Sequence, residues 1–160
     1  MSPGPADPPE PVDPDVDLRV PGQRDELSGS RRWAILAVIS AGGAVGALAR
    51  YAISRAWPSD AFPWTVLTIN AAGSALIGVV TVLVGHGGRW AHPLVRPFAG
   101  AGVLGGFTTF SAYALDFREL MGRGETGPAF GYAVGTLALC LGAVWAAVTL
   151  TRAALARGAR

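Results

Sequence analysis

Residues 100–113 combine small, hydroxyl and aromatic side chains inside a long apolar stretch; they read Gly-Ala-Gly-Val-Leu-Gly-Gly-Phe-Thr-Thr-Phe-Ser-Ala-Tyr. Such a run predicts a break in a helix. Within a bilayer, irregular backbone is tolerated only where it is buried in protein or lines a pathway. Hydroxyl groups donate hydrogen bonds, and aromatic ring edges carry partial positive charge. These donors are Thr108, Thr109, Ser111, Phe107, Phe110 and Tyr113. The segment is therefore a candidate site for an ion.

Two further polar residues, Asn70 and Arg50, lie within apolar stretches. An amide exposed to lipid is costly, so Asn70 should face protein or water. It is either a hydrogen-bonding link between helices or an N–H donor to a passing anion. Arg50 either extends toward the membrane interface or places positive charge at the mouth of an anion vestibule, and these two roles are compatible.

Helical spacing adds two weaker patterns. Phe110 and Tyr113 share a helix face, which is typical of core packing as well as of a ligand site. Tyr132, Thr136 and Cys140 recur every four residues and form a faintly polar stripe. Thr in such helices often bonds only to its own backbone, so this stripe alone decides nothing.

The elements that must position these residues are membrane-spanning helices. Crossing about 30 Å of hydrocarbon takes about twenty apolar residues in a helix. Four windows meet this length, and they run from 33 to about 54, 64 to about 84, about 94 to 120, and 128 to about 151. The predicted fold is an all-α membrane protein with four transmembrane helices, the third of them broken.

Charge and composition divide the chain into segments. Seven of the eleven acidic residues lie within the first thirty positions, where large apolar side chains are scarce. Such a segment cannot bury enough surface to order itself. We therefore expect a disordered tail over 1–30, one membrane domain over 31–152 and a C-terminal tail over 153–160. The tail is not a signal peptide, because it lacks a basic start and an apolar core.

Small residues at four-residue spacing predict close helix packing, because lipid provides no hydrophobic drive between helices. The pairs are Gly42 and Gly46, Gly102 and Gly106, and Gly131 and Gly135. A domain of this size encloses little interior volume, so a pathway through it is expected to require a dimer.

The arginines predict one orientation in the membrane. Seven lie at the ends of spans on the side of the termini: Arg31, Arg32, Arg89, Arg96, Arg152, Arg157 and Arg160. The other side holds Arg55, Arg118 and Arg123. Because basic residues favour the cytoplasmic side, both termini should be cytoplasmic.

Taken together, the chain resembles the Fluc (CrcB-type) family of fluoride channels over residues 33–151. Three stretches carry the resemblance: Gly-Gly-Ala-Val-Gly-Ala-Leu-Ala-Arg-Tyr at 42–51, Thr-Ile-Asn-Ala-Ala-Gly-Ser at 68–74, and Gly-Gly-Phe-Thr-Thr-Phe-Ser at 105–111. The third stretch is the most specific. Two departures are Tyr113, where the family usually has Phe, and Val66, where it commonly has Thr.

The resemblance implies a passive channel in the cell membrane that exports fluoride from the cytoplasm and reduces its toxicity. It also implies an antiparallel dual-topology dimer with two pores and a structural sodium ion that is not transported. Backbone carbonyls of Gly105 and Thr108 would hold the sodium. The fluoride pathway would comprise Asn70, Phe110, Tyr113, Thr109, Ser111, Tyr132, Thr136 and Arg50.

The sequence does not determine the identity of the partner subunit. An antiparallel homodimer needs the chain inserted both ways, whereas the arginine distribution favours one orientation. The chain would then pair either with a second copy or with an oppositely inserted paralogue.

Other functions fit the sequence less well. A small dual-topology multidrug exporter has a similar length and number of spans, but such exporters use a Glu in the first span and this span has none. A non-transporting assembly subunit is the third possibility. No nucleophile–base pair, metal cluster or phosphate-binding loop indicates an enzyme. The exposed arginines beside apolar spans favour lipid headgroups over nucleic acid as partners.

Overall fold

The computed structural model describes residues 29–59, 61–85 and 93–158, and within these ranges all regular structure is helical. The chain divides into two compact units, Met1–Ala34 and Ile35–Arg160. The description below concerns the second unit. The predicted disordered tail over 1–30 lies almost entirely outside the described residues.

Five helices follow one another along the described chain. Helix α1 is Gly29–Ala56 and α2 is Trp64–Gly85. Helix α3 is a π-helix, Pro97–Leu104, continued by one α-helical turn, Gly105–Phe107. Helix α4 is Phe110–Gly122 and α5 is Thr126–Gly158. Four stretches are long and apolar enough to span a membrane: α1 from Arg32, α2, Pro97–Gly122 and α5. The predicted four spans with a broken third are confirmed.

The third span breaks at Thr108 and Thr109, which are both extended. Thr109 also starts α4, because its side-chain oxygen accepts a hydrogen bond from the N–H of Ala112 at 3.2 Å. A threonine in this position satisfies one of the N–H groups that a helix start leaves free. The break predicted from the sequence is therefore fixed by a specific cap.

Glycines let the first and third spans touch through their backbones. A Cβ on Gly46 would collide with the carbonyl oxygen of Val103, and one on Gly42 would lie 2.6 Å from that of Phe98. A Cβ on Gly106 would collide with the carbonyl oxygen of Gly43. These contacts are closer than any side chain allows. The packing prediction is confirmed for the pairs on α1 and on the third span.

The third predicted pair behaves differently. A Cβ on Gly131 or Gly135 would meet nothing within 4 Å, and both residues are exposed. As a statement about packing within one subunit, that prediction is wrong. The four-residue spacing of small residues marks a helix face but does not say whether another helix covers it.

Helix α5 packs against α2 and α4. Gly78 of α2 faces Val144 and Ala147 of α5, and a Cβ on Gly78 would lie 2.9 Å from the Cβ of Ala147. Near the α4–α5 turn, the buried residues Leu120, Ala129 and Tyr132 form a small core. Partly buried Phe62, Leu67, Tyr113 and Phe117 pack around it.

Helix α5 is longer than the sequence predicted. It runs to Gly158, whereas the fourth span was expected to end near residue 151. The predicted C-terminal tail is thus helical as far as Gly158. Thirty-three residues exceed the roughly twenty that hydrocarbon requires, so the helix extends past the apolar layer. Its outer face carries large exposed apolar side chains such as Leu141 and Trp145, both 72% exposed.

Candidate functional site

Asn70 of α2 binds both backbone polar groups of Thr109 at the break. Its Nδ2 donates to the carbonyl oxygen of Thr109 at 2.9 Å, and its Oδ1 accepts from the N–H of Thr109 at 2.8 Å. The side chain thereby supplies the acceptor that the Thr109 N–H loses where the helix is interrupted. Asn70 is thus a hydrogen-bonding link between helices, one of the two roles that the sequence left open.

The break redirects two N–H groups and so frees two carbonyls. In a continuous helix, Thr109 N–H would donate to Gly105 and Ala112 N–H would donate to Thr108. Here the first donates to Asn70 and the second to the side chain of Thr109. The carbonyl oxygens of Gly105 and Thr108 therefore lose their helical donors and are available as oxygen ligands.

Arg50 of α1 also contacts the broken span. Its Nε donates to the carbonyl oxygen of Gly106 at 3.3 Å. The side chain is partly buried. The guanidinium is therefore held at the break, where it adds a donor to a backbone group just before the extended residues.

A groove with a volume of about 360 Å³ runs beside the break. Five residues of the predicted fluoride pathway and both predicted sodium ligands line it: Asn70, Thr109, Phe110, Tyr113, Thr136, Gly105 and Thr108. Cys140 also lines it, so two members of the polar stripe on α5 face the groove. None of the groove's lining residues in the described chain is charged.

Thr136 lines this groove and carries a buried hydroxyl without a partner. Its residue is only 4% exposed, and within the described part of the chain no hydrogen-bond partner reaches its Oγ1. Other threonines behave as helical threonines usually do, since Thr81 and Thr108 donate to carbonyls one turn earlier. A buried hydroxyl without a partner is costly, so Thr136 is suited to bind a ligand in the groove.

Ser111 and Tyr132 are predicted pathway residues that do not line the groove. Ser111 is exposed, with its Oγ 3.3 Å from the Thr109 Oγ1. Tyr132 is fully buried beneath the groove, and its hydroxyl donates to Asp116 Oδ2 at 3.0 Å. Arg50 likewise contacts the break and not the groove.

Gly100 and Leu104 also line the groove and lie in the segment 100–113 that the sequence indicated. Sequence reasoning missed four lining residues, namely Gly73, Ser74, Ile77 and Leu137. Ser74 could have been found, because it lies one turn after Asn70 and shares its helix face. The partnership of Asp116 with Tyr132 was also missed. Nothing in the sequence pairs Asp116 with a residue of the next span.

Four apolar spans, the third of them broken beside an uncharged groove, define a small multi-pass helical membrane protein. The model of the CrcB-like protein family, described as camphor resistance, matches residues 37–148. The chain belongs to this CrcB-like family.

Relatives that are named as ion channels share most of the chain. A protein of Streptomyces coelicolor named fluoride-specific ion channel FluC 1 is 49% identical over 131 residues, which cover 80% of this chain and 84% of the relative. FluC 2 of Streptomyces avermitilis is 43% identical over 128 residues, which cover 78% of this chain and 79% of the relative. FluC of Nitrobacter winogradskyi is 38% identical over 125 residues, which cover 76% of this chain and 98% of the relative. All three are named fluoride-specific ion channels.

Proposed function

We propose that this chain is a subunit of a passive fluoride channel that releases fluoride from the cytoplasm and so reduces its toxicity. The relatives' names support fluoride as the ion. The structural support is the groove, because it places uncharged hydrogen-bond donors at a helix break inside an apolar bundle.

The donor set suits a small anion. Fluoride is strongly hydrated, so a pathway must replace its water with other donors. Fixed positive charge would hold the ion too tightly, whereas neutral donors let it enter and leave. The amide nitrogen of Asn70 carries two hydrogens and uses one on Thr109, which leaves the other for an anion. Thr136 adds its unpartnered hydroxyl.

The remaining residues have supporting roles in this proposal. Phe110 and Tyr113 offer ring edges at the groove, and Thr109 and Ser111 place hydroxyls beside it. Tyr132 continues the polar stripe below Thr136. Arg50 contributes positive charge near the break without entering the groove.

The site is proposed to be completed by a second subunit in antiparallel orientation. Phe110 is 77% exposed although it lines the groove, so one wall remains open to a partner. The partner is either a second copy or an oppositely inserted paralogue. Membrane lipid surrounds the assembly.

A structural sodium ion fits the freed carbonyls. Hard cations prefer oxygen ligands, and the Gly105 and Thr108 carbonyls lack their helical donors. Sodium would offset the dipoles of these carbonyls and thereby stabilise the break. Two carbonyls are too few for a cation, so a facing subunit would supply the rest.

A multidrug exporter is the alternative function, but no observation favours it. The first span contains no acidic residue, and the relatives are named as ion channels. The relatives' names give no support to an enzyme either, because they name ion channels.

Growth of a fluoride-sensitive bacterium tests the proposal. A strain that lacks its own fluoride channel should grow in millimolar fluoride when it expresses this chain, together with any paralogue that the source genome encodes. The matched control is the Asn70→Asp chain, which should not restore growth. Resistance to cationic drugs without resistance to fluoride would instead support the exporter and contradict the channel.

A further inference from the structure

Arg50 of α1 is bound to the end of the helix that precedes the break. We propose that it is a positioning residue, which caps the C-terminal end of α3 through the Gly106 carbonyl. Conduction depends on this hydrogen bond and not on attraction of the anion by the guanidinium. The inference rests on the proposed function, because it assigns how one residue at the same break supports the pathway.

The face of α1 that packs on the third span carries Arg50 to the break. Gly42, Gly46 and Arg50 follow one another at four-residue spacing and so share one helix face. The two glycines let α1 lie directly against backbone carbonyls of the third span. Arg50 comes one turn later, and its Nε donates to the carbonyl oxygen of Gly106 at 3.3 Å. The close packing of the glycines thus ends in a hydrogen bond at the point where the third span stops.

The Gly106 carbonyl needs a donor from outside its own helix. In a continuous helix it would accept from the N–H of Phe110. The extended residues Thr108 and Thr109 separate these two groups. The last carbonyls of a helix also carry partial negative charge, which a guanidinium offsets. Arg50 therefore does from a neighbouring helix what a basic residue in the last turn usually does from its own.

This bond supports the groove without placing charge in it. Gly106 does not line the groove, but Gly105 and Thr108 on either side of it do. Holding the Gly106 carbonyl therefore fixes the adjoining wall of the groove from behind. Across the described residues no carboxylate forms an ion pair with Arg50, so the carbonyl at the break is the partner of its charge.

Two neutral variants separate the donor from the charge. The side-chain nitrogen of Gln lies as many bonds from Cα as the Arg Nε does, whereas Met has a methyl group at that position. Fluoride efflux from liposomes should be slower in Arg50→Gln than in the native protein, because the bond is no longer assisted by charge. It should still be about fivefold faster than in Arg50→Met, since a neutral hydrogen bond contributes about 1 kcal/mol net. Attraction of the anion by charge would instead make the two variants equal.

Amide hydrogen exchange shows whether the effect is local to the break. In Arg50→Met, exchange should rise over residues 105–113 and remain native in α5, because only the end of α3 loses its cap. Arg50→Gln should lie between Arg50→Met and the native protein. A general loss of stability would raise exchange in both regions and would contradict the inference.

Arg55→Met is the matched control, since it removes the same charge from an exposed arginine of α1. It should keep native efflux and native exchange. Equal efflux from the two Arg50 variants would contradict the inference, and so would failure of both to fold, because the bond would then serve folding. If only Arg50→Met fails to fold, Arg50→Gln decides: exchange raised over 105–113 alone supports the cap, and native exchange contradicts it. If the native protein carries no fluoride, the proposed function fails instead.

Discussion

Among single residues, Asn70 matters most to the proposed channel. Its amide binds both the N–H and the carbonyl of Thr109, and the residue also lines the groove. In the proposed channel, structural support and ion binding are therefore compatible roles for this residue. An amide nitrogen has two donor hydrogens, and one of them is enough to hold the backbone.

The Asn70→Asp variant should be less stable and should conduct poorly. Asp still accepts from Thr109 N–H, but it replaces the donor to Thr109 O with an oxygen that repels the carbonyl. Losing that hydrogen bond and gaining the repulsion should lower the free energy of unfolding by about 1–3 kcal/mol. The measurement is denaturant unfolding in detergent, with fluoride efflux measured on the same preparation.

Thr81→Val is the control for that experiment. Thr81 lies on the same helix and is exposed, and its hydroxyl donates only to Ile77 of its own helix. Native stability and native flux are expected for this variant. An Asn70→Asp protein as stable and as conductive as the native chain would show that the paired hydrogen bonds have no importance.

The sequence indicated residues of the groove but not their hydrogen-bond partners. Five of the eight residues that the family resemblance implied for the fluoride pathway line one groove: Asn70, Thr109, Phe110, Tyr113 and Thr136. The partner of Tyr132 depends on how α4 and α5 face each other. That rotation follows from packing after the break, which the spacing of residues within one helix does not determine.

At the scale of elements, the third span shows what a sequence pattern can and cannot say. Glycines and hydroxyls in an apolar window predicted the break. The eight π-helical residues before it were not predicted, because wider hydrogen bonding leaves no composition signature. Likewise, the spacing of Gly131 and Gly135 matched that of the pairs that pack, but those residues are exposed within the subunit.

Close contact between α1 and the third span predicts a sharp difference between two neighbouring glycines. A Cβ on Gly46 would collide with the Val103 carbonyl oxygen, whereas one on Gly43 would meet nothing within 4 Å. Gly46→Ala must push the helices apart, and we expect it to lower the free energy of unfolding by about 1–3 kcal/mol. Thermal unfolding in detergent measures this difference.

Gly43→Ala is the matched control on the same helix. Alanine is the better helix former by about 1 kcal/mol, so this variant should be as stable as the native protein or slightly more stable. Equal stability of the Gly46 and Gly43 variants would mean that the first and third spans do not pack as described.

For the whole molecule, the proposed antiparallel dimer needs two opposite orientations in the membrane, whereas the distribution of arginines favours one. The groove is open on the side of Phe110, where the second, oppositely oriented subunit of the proposed dimer would lie. The arginine distribution of seven against three favours a single orientation for this chain. Both conditions are met if the partner is a related chain with the reverse charge distribution. The sequence predicted four spans but did not determine whether the partner is a second copy or a paralogue, because this chain carries no information about the partner's charges.

The most direct measurement is fluoride efflux from liposomes that contain the purified protein, recorded with a fluoride-selective electrode and compared with chloride efflux from the same preparation. The account predicts rapid fluoride release, little chloride release, and no requirement for a proton gradient. The proposed function would be contradicted if the liposomes released fluoride no faster than protein-free liposomes. This result would have to hold both for this chain alone and for this chain together with its oppositely oriented relative.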